Sequence, residues 1–236
     1  MKITVFGDSV LKGVITTPQT TSLFDVTEKN SLALAQKELG FELDNRSIYG
    51  NIITKGQLKF NKWLEKGGSA DICIIEFGDN DSDYDWPPIS QNPDGEYNYK
   101  TPLQDYLRIL KEMTDSCKKN KILPILASVP ALIPERWINS ISKGLNKENI
   151  IKFLGGDINK LSQNQELYYK AMQTFARENK IKLVDMRQAL INEDNYADLI
   201  CMDGIHPSEA GYKLMSQVWI KELPEMERPY EKLEVY

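Results

Sequence analysis

Ser9 and His206, the chain's only histidine, are the residues whose types suggest covalent chemistry. Ser9 closes the opening run Lys2-Ile3-Thr4-Val5-Phe6-Gly7-Asp8-Ser9, an apolar stretch that stops at a glycine. A buried strand running into a turn and a helix delivers that turn's side chains to the carboxyl end of a sheet, where open α/β folds bind ligands. A serine there sits near a helix N-terminus, where free N–H groups and the helix dipole favour negative charge. It reads as a nucleophile. Taken alone, this stretch is better read as Asp8 and Ser9 capping a helix. A single histidine in 236 residues excludes mechanisms that need several, among them most transition-metal hydrolase sites. A mechanism that needs one histidine has its residue assigned.

Further polar clusters fall where strands end or loops begin: Gly50 in Tyr49-Gly50-Asn51, then Gly78-Asp79-Asn80-Asp81, and Asp203-Gly204-Ile205-His206. The elements that must position them follow from periodicity. Residues 71–77 form a nearly continuous apolar run, as in a strand covered by helices on both faces. Weaker or shorter strands are predicted within 41–48 and over 122–128 and 181–184. Helices are predicted over 28–39, 57–66, 101–117, 163–179 and 208–223. In the second, Leu58, Trp63 and Leu64 are expected to face the core; in the fourth, Leu167, Ala171, Met172, Phe175 and Ala176. The third is expected to take Thr101 as N-cap and Pro102 as its first residue. Short helices are expected around Trp137-Ile138 and Ile150-Ile151, a loop over 15–27, and a surface extension or mobile end after Pro224. Strands alternate with helices, which predicts one α/β domain on a parallel sheet. The right-handed crossover rule puts Ser9, Asn80 and the region of Ser128 on one edge of that sheet.

Net charge is −5, from 29 basic and 34 acidic side chains, and no Lys/Arg run marks a nucleic-acid footprint. Cys73, Cys117 and Cys201 are far apart and form no C-x-x-C, so neither a disulfide framework nor a zinc site is indicated. Met1 leads directly into a strand, without a basic n-region and cleavage site, and no apolar run is long enough to span a bilayer. A cytoplasmic, reducing setting without membrane insertion is expected.

Taken together, Gly7-Asp8-Ser9, Gly50, Gly78-Asp79-Asn80-Asp81 and Asp203-Gly204-Ile205-His206 resemble the blocks of the SGNH hydrolases, also called the GDSL esterase/lipase family. The blocks stand in family order over nearly the whole chain. The resemblance implies a three-layer α/β/α sandwich of flavodoxin-like type with a central parallel sheet of about five strands. It implies one domain over 1–236, with 82–101 and 129–162 as substrate-pocket insertions, and neither cofactor nor metal. A serine hydroxyl is a poor nucleophile until a base takes its proton. His206 is that base, and Asp203 orients the imidazole and stabilises its cation. Activity is then expected to fall at acidic pH, because a protonated imidazole cannot accept the serine proton. The family's oxyanion donors map onto the backbone N–H groups of Ser9 and Gly50 and the side chain of Asn80.

Two features depart from the family pattern. Val10 stands where a leucine is frequent, and Asp79 opens the run Asp79-Asn80-Asp81-Ser82-Asp83-Tyr84-Asp85. Its alternating carboxylates suggest a calcium loop, but an EF-hand needs glycine sixth and glutamate twelfth, where this chain has Tyr84 and Ser90. Asp81 is expected to hold its loop through backbone hydrogen bonds, and the extra charge to repel anionic substrates. The loop aromatics Tyr84, Trp86, Tyr97, Tyr99 and Trp137 are expected to wall the pocket. Asp79, Tyr84, Trp86 and Trp137 are the candidate substrate-binding residues. The expected activity is that of a serine esterase on small-molecule short-acyl (acetyl) esters, such as acetylated carbohydrates. The first alternative is a lipid acyl hydrolase of lysophospholipase or thioesterase type. Two further readings belong to other classes. A non-catalytic ligand-binding protein on the same fold would show a damaged triad. A metal-dependent phosphoesterase built on the aspartate run would lose activity to a chelator and keep it in Ser9→Ala.

Overall fold

The computed structural model describes residues 1–17 and 24–224. The extension expected after Pro224, and residues 18–23 of the expected loop, lie outside the described residues. The first half runs β1 (Lys2–Phe6), α1 (Ser9–Lys12), β2 (Val14–Ile15), β3 (Asp25–Val26), α2 (Ser31–Leu39), β4 (Glu42–Asn45), α3 (Ile53–Glu65), β5 (Ile72–Ile75), α4 (Trp86–Gln91) and α5 (Leu103–Lys119). The second runs β6 (Leu123–Ala127), α6 (Pro134–Ile141), α7 (Lys147–Phe153), α8 (Lys160–Glu178), β7 (Lys182–Val184), α9 (Met186–Ile191), a 3₁₀ turn (Tyr196–Leu199) and α10 (Glu209–Glu222).

Five strands form one parallel sheet in the order β4-β1-β5-β6-β7. This is the 2-1-3-4-5 order of flavodoxin-like sheets, whose switch point lies between their first and third strands. Here those are β1 and β5, and Ser9 follows one while Asn80 follows the other. The alternation of side chains along each strand sends them to two cores. Ile3, Val5, Ile72, Ile74 and Ile125 pack with α2, α9 and α10. Phe6, Cys73, Ile75 and Leu126 pack with α3, α5 and α8 on the other face. The result is three layers, α/β/α, as expected. A third apolar cluster is built from residues of 82–101 and 129–162, including Trp86, Ile89, Ile138 and Ile150, and reaches Ile205. Among the described residues no helix is long and apolar enough to cross a membrane.

Four local expectations need correction. Val14–Ile15 and Asp25–Val26 pair antiparallel instead of remaining loop. Pro102 is the N-cap of α5, not its first residue: Tyr106 N–H donates to the Pro102 carbonyl at 2.9 Å. Leu58 is 69% exposed, because α3 buries Ile53, Gly56, Phe60 and Trp63, a stripe at i, i+3, i+7 and i+10. Leu167 is 45% exposed for the same reason, since α8 turns Leu161, Gln165, Tyr168, Met172 and Phe175 inward.

Candidate active site

Ser9 is the first residue of α1, and the cap is Asp8, whose carboxylate accepts from Val10 N–H at 3.0 Å. The two readings of Asp8-Ser9 therefore divide between the residues. Asp8 caps, which leaves the Ser9 hydroxyl free to face His206. Ser9 Oγ lies 2.9 Å from His206 Nε2, and His206 Nδ1 lies 2.7 Å from Asp203 Oδ2.

The loop from Ile200 to Pro207 is closed like a small hairpin. Cys201 N–H donates to His206 O at 2.7 Å, and Ser208 N–H to Leu199 O at 2.8 Å. The Arg136 guanidinium of α6 gathers the carbonyls of Ala197, Ile200 and Cys201 from outside. Gly204 has φ +87°, and a Cβ there would stand 2.6 Å from the backbone nitrogen of Trp137. Only glycine lets α6 dock this closely on the turn between Asp203 and His206. Ser208 caps α10. Four donors converge on the Asp203 carboxylate. Oδ1 accepts from the backbone N–H groups of Ile205 and His206, and Oδ2 from the His206 ring and the Thr16 hydroxyl. Burial pushes this carboxyl up, but the hydrogen bond and charge of His206 and the two backbone bonds outweigh it, lowering it to about 2.

Asn80 donates from Nδ2 to Asp8 Oδ2 at 3.2 Å. The loop carrying Gly50 is pinned to the end of β1, with Ile48 N–H and Asn51 Nδ2 both donating to Gly7 O. Gly50 has φ +65°, in the left-handed region, and open space where a Cβ would be. Among the described residues, neither the Ser9 nor the Gly50 backbone N–H has a protein acceptor. Ser9, Gly50, Asn80 and His206 line one cleft of about 490 Å³, with Asp203 behind the imidazole.

Four buried carboxyls underlie this edge: Asp8, Glu76, Asp79 and Asp81. Burial pushes Asp8 up to about 6, against its bonds to Val10 and Asn80 and the nearby His206. Burial and the neighbouring Asp8 raise Glu76 and Asp79 well above the usual range. Burial carries Asp81 from 3.8 to about 7. Asp81 Oδ1 accepts from Ile53 N–H at 2.9 Å, holding the head of α3. A folded-state value above the unfolded one means that the folded protein keeps a proton which the unfolded chain releases. This stabilisation is full below pH 3.8 and is lost as pH rises to about 7. Asp81→Asn keeps an acceptor for Ile53 without ionising. Its stability relative to wild type is therefore expected to improve, by on the order of 4 kcal/mol, as pH rises through that window. Urea denaturation of both proteins across the window measures the gap, and a constant gap would contradict the assignment.

Of the candidate substrate-binding residues, Trp137 lines the cleft and the other three do not. Trp86 is buried in the third apolar cluster, its indole N–H donating to Asp83 at 2.9 Å. Tyr84 packs against Tyr99 and edge-on to Phe153. Asp79 is buried and accepts from the Gln165 amide. Tyr97 and Tyr99 likewise bind their own loops and Asn164. The acidic run divides: Asp79 and Asp81 turn inward, whereas Asp83 and Asp85 reach the cleft wall beside Lys55 and Lys100. Lys100 pairs with Asp83 at 2.9 Å, so the run does not impose a plain negative field. Tyr49 was not singled out from sequence, although its place beside Gly50 was a signal. Its ring lies 6.2 Å from that of His206.

The sequence model described as GDSL-like Lipase/Acylhydrolase family matches residues 5–214. "GDSL esterase/lipase WDL1" of Oryza sativa subsp. japonica is 27% identical over 158 residues, 66% of this chain and 54% of that protein. The chain thus spans about half the length of that relative. A lipase/acylhydrolase from Enterococcus faecalis superposes with TM-score 0.68 at 18% identity, covering 97% of each chain. The acetylxylan esterase Axe2 of Geobacillus stearothermophilus, solved as a catalytic mutant with a histidine replaced by alanine, superposes with TM-score 0.63 at 20% identity, covering 97% of this chain and 95% of that one.

Proposed function

The chain belongs to the GDSL-like lipase/acylhydrolase family, and on that premise we propose that it is a serine esterase, cleaving small carboxylic esters through an acyl-enzyme on Ser9. The observation that carries this reading is the continuous hydrogen-bonded line from Ser9 Oγ through His206 to Asp203. His206 Nε2 takes the hydroxyl proton as Ser9 Oγ bonds to the carbonyl carbon. Asp203, held ionised by its four donors, stabilises the imidazolium. The oxyanion accepts from the unbonded N–H groups of Ser9 and Gly50 and from Asn80 Nδ2, whose other hydrogen bond goes to Asp8. Collapse expels the alcohol with the proton from His206. Water then attacks the acyl group, with His206 again as base.

For the substrate we favour short acyl esters on a hydroxyl-rich alcohol, such as an acetylated carbohydrate. Lys55, Asp85 and the Lys100–Asp83 pair offer hydrogen bonds to hydroxyl groups, and Trp137 offers an aromatic face. The similar fold of an acetylxylan esterase is consistent with this. Ile52, Ile141 and Ile205 in the same wall favour a second reading, an acyl chain longer than acetyl, as in lipid acyl hydrolases. A series of p-nitrophenyl esters separates the two, with kcat/KM falling beyond short chains in the first reading and rising in the second. The proposed setting is cytoplasmic, supported by three cysteines that are all free, buried thiols.

A fluorophosphonate label should attach to Ser9 in a mass-spectrometric peptide map and be lost in Ser9→Ala. Labelling elsewhere, or none, would sink the mechanism. Asn80→Ala is expected to lower kcat for p-nitrophenyl acetate by roughly 10²–10³ with little change in KM, the usual loss of one oxyanion donor. A change confined to KM would instead make Asn80 a ground-state contact.

A further inference from the structure

Lys55, Lys59, Lys62 and Lys66 recur at i, i+4, i+7 and i+11 along α3 and its C-cap, and so share one helix face. The spacing leaves no basic run in the sequence, and the cluster exists only once the helix forms. Lys55 lines the catalytic cleft. Lys59, Lys62 and Lys66 line a second cleft of about 620 Å³, whose wall is completed by Arg46, Ser47 and Trp63. The stripe spans roughly 16 Å at 1.5 Å per residue.

Two observations set this face apart. Among the described residues none of the four lysines has an ion-pair partner, whereas Lys111 on α5 and Lys170 on α8 pair one turn away with Asp115 and Glu166, each at 2.6 Å. No carboxylate lines the second cleft, and Arg46 is already paired with Asp44 at 2.7 Å, so the three lysines leave an uncompensated positive charge in a protein of net charge −5. Unpaired like charges at this spacing repel, and a multiply charged anion seated between them would convert that repulsion into attraction.

We propose that the second cleft is a binding site for a small, multiply charged phosphate-bearing molecule, held by Lys59, Lys62 and Lys66. Its volume suits a small ligand. The site also adjoins the reaction centre, because Ser47 and Ile48 of its wall lead directly into Tyr49 and Gly50 of the catalytic cleft.

The test is calorimetric titration of the full chain with sodium pyrophosphate at low salt, which needs no ester turnover and so stands apart from the esterase reading. Wild type is expected to show one saturable site that weakens as salt rises. The variant K59Q/K62Q, checked for an unchanged thermal melt, should bind at least about tenfold more weakly. K37Q, on α2 across the sheet, should bind as wild type does. No saturable heat, or equal binding by K59Q/K62Q, overturns the proposal. Binding of the chain to phosphatidylglycerol vesicles without pyrophosphate binding also overturns it, and assigns the face to a lipid surface.

Discussion

Ser9→Ala is expected to lower kcat for p-nitrophenyl acetate by on the order of 10⁴ or more, with KM nearly unchanged and the thermal melt unmoved. The hydroxyl's hydrogen-bond partner is His206, while the capping of α1 rests on Asp8. Alanine, a good helix former, therefore removes the nucleophile and leaves the turn intact. His206→Ala should cost about as much, since an unactivated serine is a poor nucleophile. The double variant should be no worse than either single one, because two residues that act as a unit do not multiply their effects. The residual rate would come from the oxyanion donors and from binding. Full turnover by Ser9→Ala would overturn the acyl-enzyme mechanism outright. Chelator-sensitive turnover in that variant would revive the phosphoesterase reading, against a run whose Asp79 and Asp81 are buried on protein donors.

The sheet was legible because its central strands carry their own signature. Residues 72–75 are apolar at every position, and only a strand covered on both faces needs that. Site candidates were legible because histidine occurs once and the serine and asparagine follow strands. What the sequence could not show is direction. Leu58 and Leu167 are apolar but out of phase with the buried stripe of their helices, and helical phase is fixed by which neighbours already occupy the core. Trp86 and Tyr84 have the chemistry of a pocket wall. They were claimed instead by the third apolar cluster, whose members come from separate segments of the chain, 84–97, 132–161 and Ile205. The acidic run alternates, and its buried and cleft-facing members differ only in partners supplied from α3, α8 and Lys100. The lysines of α3 were individually ordinary, and a 3.6-residue repeat gathered them. Residue type reports what a side chain can do; contacts distant in sequence decide which groups it meets.

Asp203→Asn should lower kcat by roughly 10⁴ while leaving Ser9, His206 and the oxyanion donors in place. The reason lies in the hydrogen count around this carboxylate. Oδ1 faces two backbone N–H groups, and Oδ2 faces the His206 ring and the Thr16 hydroxyl. An asparagine can keep its oxygen on the backbone donors only by turning its NH₂ toward Nδ1. That nitrogen must then accept, which puts the ring proton on Nε2, against Ser9, where it cannot take the hydroxyl proton. The reverse amide orientation sets NH₂ against two backbone N–H groups and leaves all three donors unsatisfied. The first arrangement is the less costly, so the expected lesion is a wrong tautomer in an intact site. Because His206 is the only histidine, a ¹⁵N spectrum of the imidazole reads this without assignment: the proton should sit on Nδ1 in wild type and on Nε2 in the variant. A variant that keeps wild-type kcat, or loses it while retaining the Nδ1 proton, would remove Asp203 from its orienting role.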